Sequence, residues 1–480
     1  MGVFCPDRML KLDFSSVQFI FVFLPLTLFV YYLLPKACRN GVLAVFSLLF
    51  FAMAGYRSAA VVLGAALINW LGGLLLERVQ RKRPLLVLLV GCNAAILAVM
   101  KYAPLLVETL NPLLGGSLPM VSAVLPVGMS FYLFTAIGYC ADIAAGKAAA
   151  IKSPVRFFVF LAFFGHSLSG PIVRWEQQAP QLPCRSESRR VDADRFCAGI
   201  KRFVLGLSKK VLLADQLALI CAKVTSVPAA TLPAPILLLG YTAYMLQFYC
   251  EISGYADMAV GLGHFFGITL PESFNDPYCA KSVTDFWHRW NIPLSDWFRD
   301  YVYIPLGGSR KGEGRACLNL LLVFALTGFW HGAAWKYLVF GAMHGVILCA
   351  ERSGLRRLVE RLPVALQHGY TLAMLWLTFV VYGAPGMREA LAALRGVLTW
   401  QKGAPGYEWQ AFADAKLLLI FVAALLLCGI LQSLLPRLKQ AARDQSVPSV
   451  PGMIVLVGLL FLCVMRVSVG TYNEFLYIRF

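Results

Sequence analysis

The sequence predicts an all-α, polytopic membrane protein, and three observations support this fold class. Hydrophobic residues make up 59% of the 480-residue chain and charged residues only 14%, whereas soluble domains have roughly 45–50% and 25%. Apolar runs long enough to cross a ~30 Å hydrocarbon core, which takes ~20 helical residues, recur along the chain. The basic residues are concentrated between these runs. We therefore expect about ten to thirteen transmembrane or re-entrant helices.

The apolar runs fall into two groups by length. The runs that suffice for a full span are Val17–Leu34, Ala59–Leu76, Leu85–Tyr102, Pro233–Tyr249, Leu417–Leu435 and Val450–Val467. The shorter runs, which need a polar extension, a tilt or burial among neighbours, are Val42–Met53, Phe157–Leu168, Leu318–Phe329, Tyr337–Leu348 and Leu372–Tyr382. The first run follows an acidic segment, LDFSS, and no small-residue cleavage pattern ends it. We therefore expect it to remain as the first span.

The net charge of +18 comes from 43 Lys and Arg against 25 Asp and Glu. The basic clusters lie beside apolar runs, at Arg78–Arg83, Arg185–Arg202, Ser309–Arg315 and Glu351–Arg361. By the positive-inside rule these segments are cytoplasmic loops. They lack interleaved aromatic residues that would stack on bases, so we expect no nucleic-acid partner. The thirteen cysteines lack the close pairs of a zinc or redox site, so no metal is predicted.

Polar residues become dense between Gln247 and Arg315 although the apolar pattern continues. The ionisable residues of this segment are Glu251, Asp257, His264, Glu272, Asp276, Lys281, Asp285, His288, Arg289, Asp296, Arg299 and Asp300. A charge at membrane depth costs about 2.5–3.5 kcal/mol on insertion scales. Such a segment must therefore line a cavity or form a re-entrant element, and its ionisable residues are candidates for a functional site.

Two stretches in this region place histidine beside tryptophan. The first is FWHRWN, residues 286–291, and the second is GFWHGAAW, residues 328–335. On a helix, Asp285 and Arg289 would pair on one face, while His288 and Asn291 would share another. The prolines and glycines that follow would interrupt a through-going helix. We therefore expect Lys281–Arg315 to be a re-entrant or interfacial element on the cytoplasmic side.

The second stretch offers a candidate general base. Histidine is the usual proton acceptor near neutral pH, and the small residues after His331 let another backbone or a substrate approach closely. A histidine that only hydrogen-bonds within the core, or at an interface in the case of His288, is the alternative interpretation. No serine or cysteine stands beside the two stretches as an evident nucleophile.

The chain resembles the membrane-bound O-acyltransferase family, and within it the bacterial alginate O-acetyltransferase and D-alanyl transfer branch. The resemblance begins with FSSVQFIFVFLPL and continues through LPVGMSFYLFTAIGYCADI, SGPIVR and GLSKKVLLAD. It is most specific in EISGYADMAVGLGHFFGITLPESFNDPY, TDFWHRWNIPLSDWFRDYVYIPLGGSRKG and TGFWHGAAWKYLVFGAMHG, and it includes the ending NEFLYIRF. It implies one membrane domain, residues 1–480, around a central catalytic tunnel. Residues 125–350 would be the catalytic core and residues 1–12 an N-terminal extension.

The resemblance also implies roles for individual residues. The histidine of the family's WHG motif corresponds to His331, which would be catalytic. Asn291 occupies the family's second polar position, where the alginate branch commonly has histidine, and His288 stands where that branch often has arginine. Either could assist His331. The residues expected to contact substrate are Trp287, Arg289, Trp290, Trp330, Glu251, Arg299 and Asp300, of which Glu251 replaces a usual aspartate.

The implied activity is transfer of an acyl group, acetyl above all, to hydroxyls of an extracytoplasmic polysaccharide or cell-wall polymer. The donor would be acetyl-CoA or an acyl carrier thioester on the cytoplasmic side, and no cofactor would be bound permanently. The expected partners are a carrier protein, a secreted or periplasmic acyl-handling protein, the polymer and the bilayer. The expected location is the inner or plasma membrane.

Three alternatives remain open on sequence. D-alanyl transfer to teichoic acid belongs to the same branch and shares its motifs. A lipid O-acyltransferase is suggested by Asn291, since the sterol and diacylglycerol branch has asparagine there. A transporter or channel would also place charges at depth, but it predicts inverted repeats and broken helices in both halves. The sequence shows a single central cluster instead.

Overall fold

The computed structural model describes residues 12–111, 114–115, 125–168, 170–183, 189, 191–430, 440 and 447–469. The expected extension at residues 1–12 lies almost entirely outside this part of the chain. The C-terminal stretch NEFLYIRF also lies outside it.

The described residues form α-helices joined by short turns and contain no strand. The helices before the long central helix are α1 Leu24–Leu33, α2 Arg39–Met53, α3 Tyr56–Arg78, α4 Lys82–Leu110, α5 Met129–Ala144, α6 Pro154–Ala162, α7 Phe164–Ser167, α8 Trp175–Gln178, α9 Ala193–Ser208 and α10 Asp215–Thr225. The central helix and those after it are α11 Ala234–Phe265, α12 Val283–Arg289, α13 Ile292–Phe298, α14 Glu313–His331, α15 Trp335–Ala350, α16 Arg356–Glu360, α17 Val364–Gly383, α18 Met387–Leu398, α19 Trp409–Phe412, α20 Ala415–Leu425 and α21 Val450–Ser468. The all-α prediction is confirmed.

Six helical stretches of the described chain are long and apolar enough to cross a membrane. They are Lys36–Met53, Tyr56–Arg78, Lys82–Tyr102, Trp335–Glu360, Val364–Gly383 and Val450–Ser468. Four shorter apolar stretches accompany them, at Phe19–Leu33, Met129–Ala144, Pro154–Ser167 and Ala415–Gly429. The protein is therefore a multi-pass membrane protein, as the apolar composition predicts.

The long helix α11 forms the centre of the molecule. It packs against α9, α10, α17, α18 and α20, and nearly every residue from Met245 to Phe265 is buried. The predicted span at Pro233–Tyr249 is thus the first half of a helix that is enclosed by protein along its second half. This explains how the polar residues that begin at Gln247 are kept away from lipid.

Helices α9 and α11 touch backbone to backbone through two pairs of glycines. A Cβ atom on Gly206 would lie 2.4 Å from the carbonyl oxygen of Gly254, and one on Gly199 would lie 3.0 Å from that of Gly261. Each helix has its two glycines seven residues apart, which is two helical turns, so both pairs lie on one face. Small residues at such positions let helices approach closely in membranes.

A buried ionic cluster joins the turn after α9 to α10 and α11. The Lys210 ammonium donates to Asp215 at 2.6 Å and to Glu251 at 2.9 Å, and all three side chains are buried. A buried charge is tolerated when it is paired and hydrogen-bonded. These contacts give Glu251 a structural role, while its expected contact with substrate stays a prediction.

The segment Lys281–Arg315 is interrupted, as expected. Helix α12 ends at Arg289, and α13 starts at Ile292 after Asn291, whose φ is 39°. Asparagine is among the few non-glycine residues that adopt this left-handed conformation readily. Pro293 lies in the first turn of α13, where a missing N–H costs nothing. The side of the membrane on which the segment lies stays a prediction.

The glycine contact between α9 and α11 predicts the effect of adding one methyl group. We expect Gly254→Ala to lower the free energy of unfolding by about 1–3 kcal/mol, as overpacking does elsewhere. Its Cβ would lie 2.7 Å from the Gly206 carbonyl oxygen. The matched control is Gly64→Ala in α3, where a Cβ meets no atom within 4 Å. The thermal unfolding midpoints of the two variants are measured in detergent. Equal midpoints would contradict the predicted contact.

Candidate active site

Two hydrogen bonds from α4 hold the end of α14, whose last residue is His331. The final carbonyl groups of a helix have no partner within that helix. The Lys101 ammonium donates to the carbonyl of Trp330, and the Tyr102 hydroxyl donates to that of Phe329. The rings of Tyr102 and Phe329 also stack, with centroids 3.9 Å apart. The backbone that carries His331 is therefore fixed by α4.

A second backbone contact joins α14 to α15. A Cβ on Gly328 would lie 2.4 Å from the carbonyl oxygen of Tyr337, and one on Gly341 would lie 2.2 Å from that of Phe324. Only glycine leaves room for the opposite backbone at both places. The close approach brings Phe340 of α15 against the His331 ring, with centroids 5.6 Å apart.

The imidazole of His331 is buried among aromatic rings and contacts Tyr382 of α17. Its centroid lies 4.7 Å from that of Trp330 and 5.2 Å from that of Tyr382. Nδ1 is 3.3 Å from the Tyr382 hydroxyl oxygen. When Nδ1 carries the proton and donates it to this oxygen, Nε2 has the lone pair that a general base needs. The position of Tyr382 thus suits proton transfer at Nε2.

His331 lines a cavity of about 30 Å³. The other residues of its lining are Lys101, Leu125, Pro126, Val127, Gly128, Met129, Ser130, Phe131, Leu168 and Trp330. Lys101 and His331 are the ionisable side chains of this set, and Ser130 adds a hydroxyl. Trp330 is placed at the cavity, as a substrate contact requires. The cavity combines a candidate base with a cation among mostly apolar side chains.

The two stretches that pair histidine with tryptophan meet through a residue of α15. The indole N–H of Trp287 donates to Nδ1 of His344 at 3.2 Å. The ring of Phe340 then lies between the two histidines, 4.7 Å from His344 and 5.6 Å from His331. Nε2 of His344 is buried and has no hydrogen-bond partner among the described residues. The first stretch therefore reaches the neighbourhood of His331 through Trp287.

The structure separates His288 from Asn291. His288 is exposed on α12, whereas Asn291 is buried at the start of α13. The prediction that they share one helical face is wrong, because α12 ends at Arg289 and the backbone turns at Asn291. Trp290, between them, points inward and stacks on Phe286 with centroids 5.1 Å apart. The positive φ of Asn291 gives this asparagine a conformational role besides any catalytic one.

The charged residues in and around the first stretch form ion pairs. Arg289 pairs with Asp285 at 2.8 Å, as the four-residue spacing predicts. Asp300 accepts hydrogen bonds from Arg299, at 2.7 Å, and from Arg174. Burial opposes ionisation of Asp300, but these two hydrogen bonds hold its pKa below the usual value. None of these residues lines the cavity at His331, so their expected contacts with substrate stay predictions.

Sequence reasoning missed three residues near His331. Lys101 lies within the predicted span Leu85–Tyr102, and a lysine inside an apolar run was the signal that could have identified it. His344 lies in GAMHG, a histidine flanked by small residues. Tyr382 ends the apolar run at Leu372–Tyr382 and carries no signal of its own, because its contact with His331 exists only after folding.

Comparison with known proteins identifies the family. The model of the membrane-bound O-acyltransferase family matches residues 145–380. A probable alginate O-acetylase of Pseudomonas putida is 38% identical over 387 residues, which is 78% of this chain and 78% of the relative. The chain belongs to the membrane-bound O-acyltransferase family. The motif resemblance is thereby confirmed, and the protein is an acyltransferase of the membrane.

Two further relatives of this membrane-bound O-acyltransferase differ in the activity that their names state. A peptidoglycan O-acetyltransferase of Helicobacter pylori is 30% identical and is matched over 82% of this chain and 80% of its own length. A teichoic acid D-alanyltransferase of Bacillus subtilis is 28% identical over 46% of this chain and 58% of its own length. The similarity to O-acetyltransferases is thus the more extensive one.

The Trp287–His344 hydrogen bond predicts a coupled effect on acyl transfer. We expect Trp287→Phe, which keeps a ring but removes the donor, and His344→Leu each to lower turnover by up to about tenfold, the value of one hydrogen bond. The double variant should be little worse than either single one. Turnover is measured per unit of protein in the membrane.

Trp376→Phe is the matched control for this pair, because the Trp376 indole N–H has no hydrogen-bond partner among the described residues. It should leave turnover close to that of the wild type. If the double variant loses turnover by the product of the two single losses, the coupling of Trp287 and His344 is contradicted.

Proposed function

We propose that this acyltransferase moves an acetyl group from a cytoplasmic thioester to hydroxyls of an extracytoplasmic polysaccharide or cell-wall polymer, with His331 as general base. The observation that carries the proposal is the buried imidazole of His331 at a small cavity, with Tyr382 beside Nδ1. The names of the Pseudomonas putida and Helicobacter pylori relatives support O-acetylation of a polymer.

The chemistry begins at the acceptor hydroxyl, which is a weak nucleophile until it loses its proton. His331 takes this proton as the hydroxyl oxygen attacks the thioester carbonyl carbon, a contribution of about 10²–10⁴ in rate. The carbon–sulfur bond then breaks, and the thiolate accepts the proton back from His331. Overall, one ester forms and one free thiol is released.

Negative charge on the thioester oxygen has to be stabilised during the attack, and one well-placed donor contributes about 3 kcal/mol. Asn291 and His288 are the donors suggested by the sequence. Asn291 is buried and His288 is exposed on α12. Neither lines the cavity at His331, so Asn291 is preferred on its position in the family motif. Both substrates would be bound together, and transfer would be direct.

The donor and the partners follow from the charge distribution. The exposed Arg310 and Lys311 lie on the loop before α14, and the exposed Arg315 lies in its first turn. There they would meet an anionic donor such as acetyl-CoA or a carrier protein. An inner or plasma membrane location places this loop in the cytoplasm and the polymer outside, where a secreted acyl-handling protein would act. D-alanyl transfer is the second candidate, supported by the Bacillus subtilis relative.

Replacing His331 tests the general base. We expect His331→Ala to abolish acylation of the polymer while the protein remains folded in the membrane, because no described neighbour places a second imidazole in this cavity. Polymer O-acyl content and membrane abundance are measured together, and the released acyl group is identified as acetyl or D-alanyl. Normal acylation at normal abundance would remove His331 from the mechanism.

Thiol labelling tests the orientation. A cysteine at the exposed Ser309, in a background without the native cysteines, should react with an impermeant reagent only after cells are permeabilised, since basic loops stay in the cytoplasm. A cysteine at Gly314, also exposed at the start of α14, should behave identically. Labelling in intact cells would place the donor on the opposite side.

A further inference from the structure

Lys101 lies at an unusual place for a lysine. It belongs to Lys82–Tyr102, an apolar stretch long enough to cross a membrane, and its side chain is only 5% exposed. Lysine near the end of such a helix normally extends its ammonium towards water. Here the ammonium instead points inward, towards the end of α14.

The contacts that the described residues make with Lys101 do not balance its positive charge. The ammonium donates to the carbonyl of Trp330 and lies 5.7 Å from the centre of the Trp330 ring. No carboxylate lies within ion-pair distance of it in the part of the chain that the structure describes. An ammonium has three hydrogen-bond donors, and the Trp330 carbonyl occupies one of them. An anionic oxygen is the kind of group that would complete its environment.

Anchoring α14 does not require a positive charge. Tyr102, the next residue, makes the equivalent bond to the Phe329 carbonyl with a neutral hydroxyl. Burying a charged group within protein costs several kcal/mol that a neutral donor would avoid. A structural role alone therefore explains the hydrogen bond of Lys101 but not its charge.

Lys101 and His331 line the same cavity. At about 30 Å³, the cavity has room for roughly two water-sized groups, since one such group needs about 10–15 Å³. The geometry thus places a candidate base and a cation at one small cavity.

We propose that Lys101 is a further catalytic residue, whose ammonium binds the carbonyl oxygen of the acyl donor and stabilises the negative charge that forms there. The inference rests on the proposed acyl transfer by His331. As the acceptor oxygen bonds to the carbonyl carbon, the carbonyl electron pair moves to the oxygen, which accepts a hydrogen bond from Lys101. When the carbon–sulfur bond breaks, that pair returns to form the new ester carbonyl, and Lys101 keeps all its protons.

The test replaces the charge while keeping the size of the side chain. Lys101→Met should lower kcat about 10²–10³-fold, the loss seen when an oxyanion donor is removed, with a small change in KM for the thioester. Lys101→Gln, which can still donate to the Trp330 carbonyl, should lose as much activity at normal membrane abundance. Acetyl-CoA and the polymer acceptor are the substrates, and purified full-length protein in detergent is used.

Tyr102→Phe is the matched control, because it removes the neighbouring anchor of α14 without removing a charge. It should lower thermal stability, and because it keeps every charge at the cavity it should lower kcat far less than Lys101→Gln does. If Lys101→Gln keeps wild-type kcat, or if Tyr102→Phe loses as much kcat as Lys101→Gln, the role of Lys101 is structural and the inference is overturned. Absence of His331-dependent acetyl transfer in the wild type would instead overturn the proposed function itself.

Discussion

The candidate active site depends on how the protein satisfies a helix that ends inside it. The last carbonyl groups of α14 face neither water nor a partner of their own helix, so donors must come from elsewhere. Helix α4 supplies them through Lys101 and Tyr102. Since His331 directly follows the two capped carbonyls, the same bonds that terminate the helix also place the imidazole at its cavity.

Close helix contacts and aromatic packing complete this arrangement. Gly328 and Gly341 bring α15 against α14, which places Phe340 on His331. The tryptophan of the first histidine stretch then reaches the same helix through His344. The two stretches, about forty residues apart in the sequence, are thus parts of one aromatic cluster, and the rigidity of the cluster suits a base that must be held in one orientation.

The sequence predicted the fold class, the interruption near Pro293 and the importance of the region around His331, because these follow from hydropathy, backbone restrictions and motifs. It predicted the surroundings of His331 less well. Tyr382 contacts His331 from α17, and Lys101 lines the cavity from α4. No local sequence pattern indicates a contact between distant helices. The expected link between His288 and Asn291 assumed one continuous helix, whereas the left-handed backbone of Asn291 turns the chain.

The glycine pairs have a consequence for how substrates can enter. Sliding α9 along α11, or α14 along α15, by one residue would place a side chain where only a hydrogen atom now fits against a carbonyl oxygen. Each pair must therefore behave as one stiff unit. Helix α14, held to α15, is one side of the cavity, so a substrate would enter by displacing the other side, which Lys101 of α4, residues 125–131 and Leu168 line.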